Sequence, residues 1–319
     1  MKKFIVVISN YRMFLLSLLI LKETKLDDIF FIFDSSISKK LLLNIPTFMI
    51  TKRGKGNKGN ISLIFNTILF FIRYSFFKRK YKLDLLPVYG ADHITGIGII
   101  LRKHEFNLIE DGTINYDYKS YKRSLKNRIF SIPKFGMYRN VKKIYLTKNI
   151  SASNDIPSII KAKVSIIDIK RIWNSLSNIQ KSDILSLFGI DKYTVNSFFS
   201  KKYKYILFTQ PLSEDGVISE REKVTIYRKI IKKYSNINTF IIKPHPREIT
   251  NYQKEFSNTL VLPEQFPSEL LYLLGIDFEK VITLFSTAVF NYSSEKVDFY
   301  GTSVHHKLLE RFGNIEYNN

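Results

Sequence analysis

The stretch FIIKPHPRE, residues 240–248, joins strand-forming residues to a dense group of ionisable side chains. Residues 240–242 predict a buried strand, and the segment KPHPRE (243–248) follows directly. Proline fixes φ and lacks an amide donor, so Pro244 and Pro246 end strand pairing and stiffen the chain around His245. In open α/β sheets, ligands bind at the carboxyl ends of the strands. We therefore expect His245 to belong to a site.

Three more polar clusters follow predicted strands. They are IEDGT (109–113), FTQPLSEDG (208–216) and LFSTA (284–288). Each alone has an ordinary structural explanation, because Glu-Asp-Gly is common in turns and Ser or Thr caps helices. Four such clusters at strand-to-helix junctions of one chain favour a functional interpretation.

The clusters contain the residue types of acid–base chemistry. Adjacent carboxylates, as in Glu110–Asp111 and Glu214–Asp215, raise one pKa toward a value useful to a general base. His245 supplies the complementary proton donor near neutral pH.

The same clusters contain groups that bind phosphate. The guanidinium of Arg247 matches phosphate geometry, and Ser286 with Thr287 offers hydroxyls beside the N–H groups of a predicted helix start. A base, an acid and a phosphate cradle together predict transfer from a phosphate-linked donor. Walker A, G-x-G-x-x-G, H-E-x-x-H and G-x-S-x-G sequences are all missing, as is any Asp-x-Asp triplet, which disfavours a metal-bridged nucleoside diphosphate. His93, which follows another predicted strand, is a candidate for lining a cleft.

The set of clusters resembles the bacterial sialyltransferases and, more narrowly, glycosyltransferase family 52. The matching passages are the first strand and helix (4–23), IEDGT, FTQPLSEDGVISE (208–220), KPHPRE and LFSTAVFNY (284–292). The resemblance implies a two-domain GT-B fold and an inverting transfer of sialic acid from CMP-sialic acid, with neither a metal nor a cofactor. It also implies a galactose-terminated acceptor on a bacterial capsule or lipooligosaccharide.

The resemblance extends to individual residues. It makes His245 the general acid that protonates the leaving phosphate, and it brings Arg247 and Ser286 to the donor phosphate, with Thr287 beside Ser286. We place Pro246 and Gln210 in the donor site as well.

The general base has two candidates. Bacterial sialyltransferases as a group place it in an acidic triplet, whereas family 52 uses an Asp in the strand-end loop before the His-Pro motif. This chain has Glu-Asp-Gly in both places. Asp215, next to Glu214, is the first candidate, and Asp111, next to Glu110, is the second.

The elements that position these clusters are predicted to form an α/β fold. Short continuous apolar runs alternate with helical stretches, including predicted helices over 93–103 and 288–292, which is typical of parallel strands buried on both faces. The pattern restarts near residue 200. We predict a GT-B-like chain of two Rossmann-like domains with parallel sheets, residues 1–200 on the acceptor side and 201–319 on the donor side.

Composition bounds the remaining choices. The 319 residues are 45% hydrophobic, include no cysteine and carry a net charge of +22, which fits a cytoplasmic globular protein. The charge has two explanations, a codon bias toward lysine or an anionic partner. A peripheral contact with the inner face of the cell membrane, for which the basic and aromatic stretch 118–130 is one candidate, stays open, as does a homodimer.

Two alternative functions stay open. The first keeps the family but replaces the donor by another nucleotide sugar, such as a glucosyl donor. The second is a non-catalytic basic protein that binds nucleic acid. The second is disfavoured because the sequence contains no known nucleic-acid-binding module, so no nucleic-acid partner is expected.

Overall fold

The computed structural model describes residues 1–51, 59–112, 115–116, 134–148, 156–191, 194–196, 203–234, 239–286, 288–289 and 292–317. The chain divides into two compact units, Met1–Ile184 and Leu185–Asn319. The sequence pattern places the change of domain near residue 200, inside the second unit. The basic stretch 118–130 lies outside the described residues.

The first unit is built on a parallel sheet of seven strands in the order β3-β2-β1-β4-β5-β6-β7. Each pairing in it is parallel, and β2 is buried along its whole length. The strands are β1 (Phe4–Ile8), β2 (Ile29–Asp34), β3 (Phe48–Thr51), β4 (Val88–Gly90), β5 (Phe106–Ile109), β6 (Val141–Leu146) and β7 (Val164–Ile166). Buried, continuous apolar strands of this kind require cover on both faces, which the connecting helices supply.

The helices that begin in the first unit differ greatly in length. They are α1 (Tyr11–Ile20), α2 (Lys39–Leu42), α3 (Gly59–Tyr81), α4 (Gly98–Leu101), α5 (Ser158–Lys161), α6 (Ile169–Ser175) and α7 (Asn178–Leu187), with a 3-10 turn at Leu26–Asp28. Asn10 caps α1, because its side chain accepts the N–H of Met13 at 2.8 Å. The first strand and helix therefore form a βα unit, as the sequence predicts.

The second unit contains a parallel sheet of five strands in the order β10-β9-β8-β11-β12. Its strands are β8 (Tyr205–Phe208), β9 (Phe240–Lys243), β10 (Leu260–Val261), β11 (Lys280–Thr283) and β12 (Val297–Phe299). Its helices are α8 (Glu220–Ile231), α9 (Tyr252–Glu255), α10 (Glu269–Leu273) and α11 (His306–Phe312), with a 3-10 turn at Ser294–Lys296. Two parallel sheets with interleaved helices confirm the predicted α/β class.

Both sheets reverse their strand order next to their first strand. In the first sheet the chain moves from β1 outward to β3 and then returns to β4 on the other side of β1. In the second it moves from β8 to β10 and returns to β11 on the other side of β8. Such switch points open a crevice at the carboxyl ends of the strands, where ligands bind.

The predicted helix over 93–103 is wrong in its first half. Only Gly98–Leu101 is helical, and Gly96 adopts a φ of +83°. A Cβ on Gly96 would lie 2.4 Å from the ring of Phe70, so glycine is required there for both its φ and its size. The segment before α4 is therefore a set of turns, which leaves His93 in a loop after β4.

Helix α3 exposes apolar side chains on one of its faces. Tyr74 and Phe70 on one face are buried, and Tyr74 donates or accepts a 3.0 Å hydrogen bond with His104. The opposite face exposes more than half of each large apolar side chain, and these are Ile64, Phe65, Ile68, Phe71, Ile72 and Phe76. Among the described residues, no helix is both long and apolar enough to cross a bilayer.

Candidate active site

Three loops of the second unit meet at one edge of its sheet. Strand β8 pairs with β9 on one side and β11 on the other, and Phe208 is level with both Lys243 and Thr283. The hydroxyl of Thr283 donates to the carbonyl oxygen of Phe208 at 3.2 Å, which ties two of the strand ends together. The loops with Asp215, His245 and Ser286 therefore start from adjacent points.

Asp215 and Arg247 form a bidentate ion pair between two of these loops. One guanidinium nitrogen donates to each carboxylate oxygen, and the Nη2–Oδ2 distance is 3.0 Å. Both side chains are partly exposed, with 35% of Asp215 and 52% of Arg247 accessible. The candidate base and the candidate phosphate ligand are thus partners of each other, and an incoming phosphate would compete with Asp215 for the same donors.

His245 is held by its own loop. The backbone N–H of His245 donates to Oε2 of Glu248 at 2.6 Å. The ring Nδ1 of His245 accepts the backbone N–H of Arg247 at 3.2 Å. Because Nδ1 is an acceptor, the neutral ring carries its proton on Nε2. The ring therefore presents one N–H group that the loop itself does not use.

The surroundings of His245 disfavour its charged form. Burial lowers its pKa to about 4, and the positive charges of Arg247 and Lys243 act in the same direction, while Asp215 opposes them. Burial also lowers the pKa of Lys243 to about 8. The free site is thus an electropositive loop around a neutral imidazole, which is an environment suited to an anion.

The other predicted donor ligands surround the same sheet edge. The backbone N–H of Gln210 donates to the hydroxyl of Tyr227 at 2.8 Å, and its side-chain oxygen is buried with no hydrogen-bond partner among the described residues. Ser286 donates its N–H to Oγ1 of Thr283 at 3.0 Å and accepts the N–H of Ala288 at 3.3 Å. Pro246 follows His245 in the loop. Thr287 lies outside the described residues, as do residues 290–291 of the predicted helix over 288–292.

The second acidic triplet belongs to the first unit. Asp111 accepts the side-chain N–H of Asn10 at 2.7 Å and the hydroxyl of Ser9, and Nε2 of His93 lies 3.4 Å from its Oδ2. Its own N–H donates to the side chain of Asn115 at 2.6 Å. These residues follow β1, β4 and β5, so they line the switch point of the first sheet.

The two residues of this triplet have different surroundings. Glu110 is buried, and it accepts Nη2 of Arg12 at 2.7 Å, the N–H of Thr147 at 2.6 Å and the hydroxyl of Tyr116 at 2.9 Å. Its oxygens are therefore committed to the protein. Asp111 is the member of the pair that lies beside a histidine, His93.

Several residues of the two clusters escaped the sequence analysis. Ser9 and Asn10 lie between the first predicted strand and its helix and had no assigned role, and neither had Glu248, although it lies in the histidine loop. Lys223 is fully buried in α8, and its ammonium lies 2.9 Å from Oε2 of Glu214. One signal for Lys223 exists in the sequence, because it shares the i, i+1, i+4, i+8 face of Val224, Tyr227 and Ile231.

Across the described ranges, no group of three or more His, Cys, Asp or Glu side chains is arranged to hold a metal ion. The cations that the structure does place beside the loops are Arg247, Lys243 and Lys223.

Two parallel α/β units with polar loops at their switch points define a GT-B-like architecture, and solved structures agree. A Photobacterium 2,6-sialyltransferase, determined in a ternary complex with CMP and lactose, matches with a TM-score of 0.61 at 13% identity, over 93% of this chain and 70% of that one. The GT-B domain of a Photobacterium damselae sialyltransferase matches with a TM-score of 0.55 at 13% identity, over 93% and 90%. A Methanocaldococcus jannaschii UDP-GlcNAc 2-epimerase matches with a TM-score of 0.52 at 16% identity, over 100% and 94%.

The sequence comparison narrows this class to one family. The model of glycosyltransferase family 52 matches residues 28–308, and the chain belongs to that family. An uncharacterized Haemophilus influenzae protein is 49% identical over 318 residues, which is 99% of each chain. The family expected from the sequence motifs is confirmed.

The pKa of His245 provides a test of the site geometry. We expect NMR titration of its ring protons in the free protein to give a pKa of about 4. Arg247→Gln should raise that pKa, because it removes a repelling positive charge and leaves the carboxylate of Asp215 unpaired nearby. Arg228→Gln should leave the pKa of His245 unchanged. Arg228 lies on α8 and forms an exposed ion pair with Glu255. A wild-type pKa of about 6.5, the usual value for histidine, would contradict the described burial.

Proposed function

We propose that this chain is an inverting, metal-independent glycosyltransferase that moves sialic acid from CMP-sialic acid to a terminal galactose of a bacterial surface glycan, on a capsule or a lipooligosaccharide. The observation that supports the proposal is the grouping of Asp215, His245 and Arg247 at the switch point of the second sheet in a family 52 chain. The sialyltransferase neighbour with bound CMP and lactose supports the same donor and acceptor classes. We assign the second unit to the donor and the first to the acceptor.

Donor binding begins with an exchange of partners at Arg247. The phosphate of CMP-sialic acid offers the guanidinium two oxygens, as Asp215 does in the free protein. When Arg247 turns to the phosphate, the carboxylate of Asp215 loses its cation and becomes available to accept a proton. Gln210 and Ser286, on the loops after β8 and β11, supply further polar contacts to the nucleotide.

Binding also changes the state of His245. The donor carries a phosphodiester and a carboxylate, and these negative charges favour the imidazolium form of a ring whose pKa is about 4 in the free site. Donor binding therefore raises the pKa of His245, and the protein takes up a proton when the donor binds near neutral pH. Arg247, engaged by phosphate, repels the ring less than before.

The chemical step is a single displacement. The acceptor hydroxyl attacks the anomeric carbon while its proton passes to Asp215, and the bond from that carbon to the phosphate oxygen breaks. The electron pair stays on the phosphate, and His245 gives it a proton, so CMP leaves as a monoester. Because attack occurs on the face opposite CMP, the anomeric configuration inverts. The oxocarbenium-like transition state is stabilised by the departing phosphate and by the carboxylate of the sugar itself.

The donor and the metal requirement are tested together. We expect the purified protein to release CMP from CMP-sialic acid in the presence of lactose, at the same rate with and without EDTA, because Arg247 and His245 take over the charge stabilisation that a metal ion would supply. UDP- and GDP-sugars serve as parallel substrates. Loss of turnover on chelation, restored by Mg²⁺ or Mn²⁺, would overturn the metal independence. Turnover of a UDP-sugar alone would show that this UDP-sugar, and not CMP-sialic acid, is the donor.

The two candidate bases are separated by mutation. We expect Asp215→Asn to lower the turnover number by about 10²–10⁴-fold, the range for loss of a general base, with a smaller change in CMP affinity. Asp111→Asn, the matched variant of the other triplet, should act mainly on the KM of the acceptor or on stability, since Asp111 contacts Ser9, Asn10 and His93. Steady-state kinetics for both substrates make the comparison. The reverse pattern would transfer the role of base to Asp111.

We also propose that the protein contacts an anionic membrane surface through α3. The exposed apolar residues of α3, from Ile64 to Phe76, cover about 18 Å of helix at 1.5 Å per residue. Arg79 and Lys80 follow on the exposed surface, and the sequence before the helix contains Lys52, Arg53, Lys55 and Lys58. An outward apolar face flanked by basic residues is typical of a helix that lies in the membrane interface.

Charge complementarity favours lipid as the occupant of this face. The whole chain carries +22, and a basic segment near a cytoplasmic leaflet gains about 1 kcal/mol per Lys or Arg. A second copy of the chain would bring the same positive charge to the contact and repel. The apolar residues alone would suit either occupant, so the basic flanks are the distinguishing feature.

Vesicle sedimentation tests this surface. We expect the protein to bind vesicles rich in phosphatidylglycerol and to bind less as salt is added, because surface charge is screened. The triple variant Phe65→Ser/Phe71→Ser/Phe76→Ser should lose binding, whereas Leu43→Ser/Ile179→Ser, which also removes exposed apolar side chains, should keep it. Binding that survives the triple variant would contradict the proposal. A dimer in solution that this variant converts to monomer, without vesicle binding by the wild type, would identify α3 as a contact between copies.

A further inference from the structure

A fully buried lysine lies beneath the two loops that carry Asp215 and His245. Lys223 is the fourth residue of α8 and has no solvent-accessible surface. Its ammonium contacts three carboxylates, with distances of 3.0 and 2.9 Å to the oxygens of Glu214, 3.1 Å to Oε2 of Glu220 and 3.6 Å to Oε1 of Glu248. Lysine is almost never buried in this way unless its charge is compensated.

Glu214 connects Lys223 to the loop of the candidate base. Glu214 immediately precedes Asp215, so its side chain fixes the backbone from which Asp215 projects. Its Oε1 also accepts, at 2.8 Å, the N–H of Ile249, the residue just after the histidine loop. Burial works to raise the pKa of Glu214, but the hydrogen bonds from Ile249 and Lys223 outweigh it and the pKa is lowered.

Glu248 connects Lys223 to the loop of the candidate acid. Its Oε2 accepts the N–H of His245 at 2.6 Å and the hydroxyl of Thr209, in the loop after β8, at 2.5 Å. Its Oε1 accepts the hydroxyl of Tyr252 at 2.6 Å. Burial raises the pKa of Glu248, and these hydrogen bonds together with the charge of Lys223 oppose the rise.

The balance of charge makes Lys223 the centre of this group. Three carboxylates approach one ammonium, and two of them, Glu214 and Glu248, each hold one of the two loops. Without the ammonium the carboxylates would repel one another in a buried environment and move apart. That movement would change the position of Asp215 relative to His245.

We infer that Lys223 is a positioning residue for the reaction: it joins Glu214 to Glu248 and so fixes the loop of Asp215 against the loop of His245. The inference rests on the proposed function, because it assigns the roles of base and acid to those two residues. Lys223 itself contacts neither of them and acts through the two glutamates.

The test replaces Lys223 by methionine, an unbranched apolar side chain that is one atom shorter and carries no charge. We expect Lys223→Met to lower the turnover number by about 10²-fold, the order that a misplacement of about 1 Å produces. The dissociation constant of CMP should change less than the turnover number. Ile230→Ala is the matched control, because Ile230 is buried in the apolar core on the same helix and contributes to stability without joining the two loops. Assayed below its unfolding temperature, this control should keep its turnover number.

A second measurement separates positioning from general destabilisation. The pKa of His245, followed by NMR, should rise in Lys223→Met, because the uncompensated carboxylates favour the imidazolium. In Ile230→Ala it should stay at its wild-type value. Should Lys223→Met fold poorly, Lys223→Met/Glu214→Gln removes one positive and one negative charge, so the net charge of the cluster is the same as in the wild type. This double variant still lacks the link, so its turnover should stay low.

The outcomes distinguish the inference from the proposed function. A wild-type protein that turns over no CMP-sialic acid would overturn the proposed function, and the pKa of His245 would still decide whether Lys223 controls the loop. Wild-type turnover in Lys223→Met or in the double variant, or a pKa of His245 that does not respond to Lys223→Met, would overturn the inference.

Discussion

The parallel pairing of β8 with both β9 and β11 is the constraint on which the site depends. Parallel strands place all their carboxyl ends at one edge, and the reversal of strand order beside β8 leaves that edge open to a ligand. Asp215, His245 and Ser286 come from segments separated by 30 residues or more of sequence numbering, and this pairing makes their loops start side by side. An antiparallel neighbour would have sent one of these loops to the other end of the sheet.

Charge compensation then sets the chemistry of the loops. The free site pairs its cations with its own carboxylates, Arg247 with Asp215 and Lys223 with Glu214. The first pair is partly exposed, whereas Lys223 of the second pair is fully buried. An incoming anion can therefore reach the first pair more readily than the second. The lowered pKa of His245 follows first from the burial of its ring and then from the positive charges of Arg247 and Lys243.

The first unit repeats the arrangement with different residues. Its switch point collects Ser9, Asn10, His93 and Asp111, while Glu110 is fully engaged by Arg12, Thr147 and Tyr116. The two acidic triplets thus share one sequence, Glu-Asp-Gly, but their glutamates have different partners. In the first unit the leading glutamate is tied to neighbouring strands, and in the second it is tied to a buried lysine on a helix.

The sequence by itself determined the fold class, the family and the positions of the polar clusters, because continuous apolar strands and strand-end motifs are local signals. It also placed His245 and Asp215 in loops after strands, and the structure has both residues in such loops. The partners of these residues are a different matter. The Asp215–Arg247 pair and the contact of Lys223 with Glu248 join residues far apart in the chain, and the burial that lowers the pKa of His245 is likewise produced only by tertiary packing. The outward apolar face of α3 is likewise a tertiary result, since an apolar helix pattern shows which residues share a face but not which face the sheet covers.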